Sequence, residues 1–352
     1  FVIIAAVNKP KPVAPEILPF RNSTAVLDDG RELNQRMQRD GYLFIQGLLP
    51  PQVLESLRQQ VLTIERDAGW VKDDTPLRDA VADLNGFCVE PEPAYNNVYY
   101  NLYKLADFHA LQHRPELKNL FERMLGEPVL AHPRIIMRTI FPQREAYTTP
   151  PHQDFIPIQG TPDTFTTWIP LGDLPPIMGG LQLAEGSHAH GVYEFEPSLG
   201  AGAMEVTDPL KGRWRNSPFK QGDVLIFHSM TVHQGVPCQG TSLRISVDAR
   251  YQKISDPIAP DSLEPHNKPV TWKEVYADWR MDDQQYYWHQ WNLQIKDFDN
   301  SYYEERDRKA IQLAKQGDIR ARSTLQRIIA RDSDPAKQQQ ARGLLTALET
   351  RR

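Results

Sequence analysis

The period of the hydrophobic positions changes twice along the chain. Residues 51 to 68, PQVLESLRQQVLTIERDA, put Val53, Leu54, Leu57, Val61 and Ile64 on one stripe at helical spacing, which predicts an amphipathic helix packed on a core. Ahead of it, RELNQRMQRDGYLFIQGLLP predicts a short helix ended at Gly41, then a buried strand over YLFIQG. PELKNLFERMLG predicts a further helix, opened by Pro115 and closed by Gly126. From Pro128 to about Gln252 the helical period gives way to short β-branched and aromatic runs separated by Pro and Gly. These are PVLAH, RIIMRTIF, DFIPI, TFTTWIPL, GLQLAE, DVLIFH and SLRISVDARYQ. Many short strands at close spacing predict a sandwich or a closed double-sheet jelly roll, not βαβ units.

Beyond residue 270 the helical period returns. TWKEVYADWRMDDQQYYWHQW is crowded with aromatics and reads as core. The last fifty residues read as three helices broken at Gly317 and at Asp334-Pro335, with Leu, Ile and Ala inside and Arg and Lys outside. Such an appendage serves packing or self-association, so a homo-oligomer formed through these helices is one expectation. The chain thus divides into a Pro-rich extended arm (1–30), a mainly β domain with its supporting helices (31–270) and a helical C-terminal extension (271–352).

Composition narrows the function classes. The 352 residues are 40% hydrophobic, enough for a substantial core, and the net charge of -5 comes from acids and bases mixed throughout. Neither nucleic acid nor a membrane surface is expected as the main partner. No G-x-G-x-x-G or G-x-x-x-x-G-K loop follows any predicted strand, which argues against nucleotide binding of those kinds. Two cysteines, Cys88 and Cys238, are too few for a disulfide framework or a thiolate zinc site, so a reducing, cytoplasmic setting is expected. The apolar opening FVIIAAV is too short for a signal peptide core or a membrane span. The first residue is not Met, so a leader trimmed from the chain stays open.

The stretch PPHQDFIP puts His152 and Asp154 two positions apart behind two prolines. On an extended strand such residues share a face, and the prolines favour extension, so imidazole and carboxylate can converge on one point. Two histidines and one carboxylate on one face of Fe(II) form a common oxygen-activating site. Downstream, His228 ends an apolar strand and reads as structural, whereas His233 sits in VHQG beside Gly235, which allows close backbone approach. Eleven residues further, Arg244 offers a cationic fork for a carboxylate, and Ser246 adds a hydroxyl on the same strand face. A cosubstrate with a 2-oxo acid at one end and a carboxylate at the other, 2-oxoglutarate, fits that order of groups. Arg138, an arginine amid apolar residues, also wants an anion: the 2-oxo acid, a substrate carboxylate or a structural Asp. Trp168 reads either as pocket lining or as core. Gln153, Tyr147 and Tyr99 are candidates for the substrate side, and His188 for fixing a loop.

These motifs resemble the phytanoyl-CoA dioxygenase family of Fe(II)- and 2-oxoglutarate-dependent oxygenases. The resemblance runs from RDGYLFIQGLL through PPHQDF, TTWIPLGD, GGLQLAEGSHAHG and QGDVLIFHSMTVHQGVPC to LRISVDARYQ. It implies a double-stranded β-helix of jelly-roll, cupin-like form. It further implies iron held by His152, Asp154 and His233, 2-oxoglutarate anchored by Arg244, dioxygen as oxidant and a small-molecule substrate hydroxylated at an unactivated C–H bond. The chain departs from the family pattern at Met178-Gly179-Gly180 and at Glu185-Gly186-Ser187-His188. Desaturation, epoxidation and ring formation start from the same chemistry and stay open, while a carboxylate ligand at Asp154 disfavours halogenation. Two rivals also stand: a metal dioxygenase that needs no 2-oxoglutarate, and a silent scaffold acting through the C-terminal helices. A small polar metabolite or a biosynthetic intermediate is the expected substrate.

Overall fold

A computed structural model describes residues 17–267, 270–280 and 282–350. The first sixteen residues, which hold most of the predicted arm, lie outside the described residues. From Ile17 onward the chain is pinned: Leu18 bridges to Arg215, and Phe20 packs against Tyr42, Phe44 and Phe219.

The helix α1 (Gly30–Asp40) opens with the Asp29 carboxylate accepting from the Glu32 amide and closes on Gly41 in the left-handed region. It leads directly into β1 (Tyr42–Ile45), and then α2 (Pro51–Asp67) buries Leu54, Leu57 and Val61 as their spacing predicts. Two helices follow that periodicity had not marked, α3 (Pro93–Tyr103) and α4 (Ala106–Ala110). The tyrosines of α3 make both sides apolar, which blurs the amphipathic signal. Helix α5 (Pro115–Leu125) ends on left-handed Gly126 as expected.

The strands form a jelly roll. In chain order they are β2 (Val129–Ala131), β3 (Ile136–Ile140), β4 (Phe165–Pro170), β5 (Gly180–Ala184), β6 (Phe195–Pro197), β7 (Met204–Val206), β8 (Trp214–Arg215), β9 (Val224–His228), β10 (His233–Val236) and β11 (Arg244–Lys253). The larger sheet runs β1-β9-β4-β11-β2 with β3 also on β11, the smaller runs β10-β5-β8, and β6 pairs with β7. Helices α1, α2 and α5 cover the outer face of the larger sheet, sharing a core with Ile245, Val247 and Ala249. Between the sheets, Trp168, Leu225 and Phe227 meet Leu181 and Leu183.

One predicted strand is absent. Residues Phe155–Ile158 of DFIPI form a helical turn, α6, because the chain leaves its bridge at His152 and bends at Asp154 into right-handed helical geometry. Pro157 fits there, since a first turn leaves its amides without intrahelical partners anyway.

The C-terminal region contains α7 (Trp272–Val275), α8 (Ser301–Lys315), α9 (Arg322–Arg331) and α10 (Pro335–Thr350), with breaks at Gly317 and before Pro335 as predicted. Trp272, Tyr276 and Trp288 join the main core. Helices α8 to α10 have a small core of their own, around Ala310, Leu325, Ile328 and Leu348. They are also fastened to the barrel. Gln159 and the Asp299 backbone exchange two hydrogen bonds of 2.8 and 2.7 Å, and Lys309 donates to the Phe195 carbonyl at 2.8 Å. Among the described residues no helix is long and apolar enough to cross a membrane.

Candidate metal centre and substrate chamber

His152 and His233 lie opposite one another in an antiparallel bridge, each amide donating to the other's carbonyl at 2.9 and 3.0 Å. Their rings therefore lie side by side, tilted by 50°, with centroids 4.2 Å apart. Each Nδ1 is within reach of a backbone carbonyl, Pro150 at 2.8 Å and Thr231 at 3.0 Å. Donation there sets the tautomer and turns both Nε2 lone pairs toward the same point. Asp154 Oδ1 stands 3.7 and 3.8 Å from these two nitrogens, and one ligand atom from each residue lies within 4.8 Å of the others. The convergence predicted for an extended strand is reached instead by a turn at Asp154.

The other carboxylate oxygen of Asp154 is held. Oδ2 accepts from the Thr166 hydroxyl at 2.6 Å and from Arg250 Nη2 at 3.2 Å. Burial would raise the acid's pKa, but Arg250, His233 and His152 outweigh it and keep Asp154 well below the usual carboxylate range. Burial, then the facing His233, lowers His152 to about 3, and burial also lowers His233. The result is two neutral imidazoles and one carboxylate, the protonation states a divalent metal needs.

Arg244 begins β11 and is 5% exposed. Its Nη1 donates to the carbonyls of Val236 at 2.6 Å and Met178 at 3.3 Å, its Nε is buried without a partner, and no carboxylate pairs with it among the described residues. Burial lowers its pKa to about 10. Val236 lies three residues along β10 from His233, roughly 10 Å. Gly179 has φ +72° and sits so close that a Cβ would fall 2.4 Å from the Val236 carbonyl and 2.8 Å from Arg244 Nη1. Only glycine fits there. Ser246 is buried one pleat further on, paired with Arg138 of β3 and Pro170 of β4.

The remaining sequence candidates are distributed unequally. Arg138 gives Nε to Asp248 at 2.7 Å, the structural Asp among its three options, and still lines the chamber. Trp168 is core between the sheets, edge-on to Phe219 with centroids 4.9 Å apart. Gln153 does not face a substrate space: its amide spans the carbonyls of Gly191 and Met230 at 2.8 and 2.7 Å and accepts from the Tyr193 amide at 2.8 Å. Burial at 2% and a full set of backbone partners make it a clamp between loops. Tyr99 lies in the core, stacked on Tyr95 and tilted against Tyr103, and bonds His266 Nδ1 at 2.7 Å. Tyr147 lines an aromatic cavity with Phe87, Tyr95 and Phe141, and its hydroxyl meets Arg322 of α9 at 3.1 Å. His188 ties its loop to the Gln38 carbonyl at 3.0 Å, and His228 contacts Asp163 at 3.3 Å.

A chamber of about 600 Å³ opens over two of the three metal residues, His152 and Asp154, with Arg138 and Arg250 beside them in its lining. Its far wall comes from the C-terminal helices through Tyr303, Arg306, Arg327, Ile328 and Arg331. Glu90 fastens that wall, meeting Arg331 at 2.9 Å and Arg327 at 3.6 Å. Burial works against the Glu90 carboxylate, yet Arg327, His266 and Arg331 hold it well below the usual range. Glu90 and Arg138 also border the aromatic cavity, so the two spaces adjoin. Arg250 and Thr166 had a readable signal, the period-two spacing from Arg244 and the strand TTWIPL, whereas Glu90, Arg327 and Arg331 had none.

A converging set of two imidazoles and a carboxylate, with His152 half-buried and the other two buried, inside a jelly roll defines a non-haem iron oxygenase, and the donor set fits Fe(II). The chain belongs to the phytanoyl-CoA dioxygenase family, whose profile matches residues 37–246. It is a 2-oxoglutarate-dependent enzyme of that family. Among curated proteins it is 27% identical over 262 residues to the 1-deoxypentalenic acid 11-beta-hydroxylase of Streptomyces exfoliatus, covering 70% of this chain and 89% of that protein. The Streptomyces arenae protein of the same name is 26% identical over the same extent. Solved structures it is similar to include the 2-oxoglutarate-dependent epimerase SnoN of nogalamycin biosynthesis, at 18% identity and a TM-score of 0.45, over 66% of this chain and 84% of that one. AviO1 from Streptomyces viridochromogenes Tue57 is similar at 22% identity and a TM-score of 0.43, over 64% and 96%.

Proposed function

We propose that this enzyme hydroxylates an unactivated C–H bond of a small biosynthetic intermediate, with His152, Asp154 and His233 as iron ligands and Arg244 as the anchor of 2-oxoglutarate. The observation that carries the reading is the buried Arg244 guanidinium, without a carboxylate among the described residues, set within a cosubstrate's reach of three converging ligand atoms. The curated relatives, named as hydroxylases, favour hydroxylation over the other outcomes. Bound iron supplies dioxygen activation coupled to decarboxylation of the 2-oxo acid. The chain's own groups do the rest. Arg244 pairs with the distal carboxylate, and Ser246 adds a hydroxyl donor beside it. Thr166 and Arg250 hold one oxygen of Asp154 so that the other faces the metal. Trp168 packs the barrel interior behind them. Across the chamber, the wall from α8 and α9 borders the space open to a substrate.

Under argon, Fe(II) and 2-oxoglutarate should give a visible charge-transfer band, and in air succinate should form. Arg244→Ala should retain iron but raise the 2-oxoglutarate requirement about 100-fold, the loss of a buried charged pair. Full succinate formation by that variant would favour a dioxygenase without 2-oxoglutarate anchoring at Arg244.

A further inference from the structure

Four of the six arginines in the chamber wall have a carboxylate: Arg138 has Asp248, Arg306 has Asp307, and Arg327 and Arg331 share Glu90. Arg134 and Arg250 do not have one to themselves. Arg250 is 3% exposed and gives Nη2 to Asp154, leaving Nε and Nη1 buried without partners. Arg134 spends Nη1 on the Pro157 carbonyl at 3.3 Å, has a buried Nε without a partner, and makes no ion pair among the described residues. Burial and the neighbouring Arg250 both push its pKa down, the sign of crowded positive charge. Asp261, in the same wall, offsets part of it. Asp154 has its other oxygen turned to the His152 and His233 imidazoles. A buried Arg250 and a half-buried Arg134 in this state call for an oxyanion.

That oxyanion is not the distal end of 2-oxoglutarate. The distal carboxylate is spent on Arg244, whose Cα stands six residues, about 20 Å, along β11 from that of Arg250. The chamber lining also carries Ile136, two residues from Arg134, Ile158, next to the Pro157 whose carbonyl Arg134 meets, and, further round, Phe298. Resting on the reading of this chamber as the substrate site, we propose that the substrate is a carboxylic acid with an apolar body, its carboxylate docked between Arg134 and Arg250 beyond the metal from the cosubstrate.

The test is calorimetry on the full chain under argon with Fe(II) and 2-oxoglutarate. The probes are adamantane-1-carboxylate, cyclohexanecarboxylate and decanoate, each beside its carboxamide. At least one acid should bind, tighter than its amide by a factor of about 10 to 100. Arg134→Ala should erase that preference, and Arg134→Gln should do the same where the alanine variant folds poorly. Arg244→Ala should keep it. Acid and amide binding alike, no acid binding at all, or a preference lost in Arg244→Ala and kept in both Arg134 variants would overturn the proposal. Absence of the charge-transfer band with the acid preference intact would instead sink the assignment of the iron ligands and of Arg244 alone.

Discussion

Asp154 is useful because its two oxygens have different neighbours. Oδ2 is occupied by Thr166 and Arg250, so Oδ1 alone faces the imidazoles. The Thr166 bond is short, buried and made to an ionised group, the kind that fixes a ligand's orientation. Thr166→Val keeps the volume and removes the hydroxyl. It should weaken iron binding about 10-fold to 100-fold in an anaerobic titration, with Thr166→Ser close to wild type. Equal affinity in all three proteins would mean that Arg250 orients the carboxylate unaided.

Strand β11 works as a ruler through the barrel. Its inward face carries Arg244, Ser246, Asp248 and Arg250, while Ile245, Val247 and Ala249 between them seal the core under the helices. The same layering buries an acid on the outer side of β3. Glu65 of α2 accepts from Thr139 with one oxygen and has no partner for the other. Burial pushes its carboxyl up to about 8, and Thr139 and Arg58 offset only part of that. The folded chain therefore holds a proton that the unfolded chain releases near pH 4.3. Its stability should fall as pH rises from about 4.5 to about 8, by at most about 1.4 kcal/mol per pH unit from this group. Glu65→Gln should lack that slope. Urea denaturation of both proteins at pH 5, 6, 7 and 8 measures it, and parallel curves would show that Glu65 ionises freely.

The C-terminal helices, expected as an appendage, close the chamber. Their hold depends on Glu90, which neutralises two arginines of α9 at once. Glu90→Gln leaves Arg327 buried without a counter-charge and should cost about 3 kcal/mol. Hydrogen exchange should then quicken across Arg322–Arg331 while Val224–His228 keeps its protection. Unchanged exchange in α9 would place the fastening elsewhere, for example at Gln159 and Lys309. The family profile matches residues 37–246, so Arg250 and the wall from α8 and α9 lie outside the matched residues.

Period and punctuation along the chain were enough for α1, α2, α5, the C-terminal helix breaks and the jelly roll, because each reflects spacing within one element. The order His152, Asp154, His233, Arg244 was legible for the same reason: each lies on or beside a strand with a recognisable motif. Three things depended on folding in space. The helical turn after Asp154 follows from a bridge to His233 about eighty residues away. Gln153 and Tyr99 were assigned to neighbours that no local pattern names. The chamber wall joins Glu90 to Arg327 and Arg331 across more than two hundred residues, a pairing of charges that one-dimensional spacing does not encode.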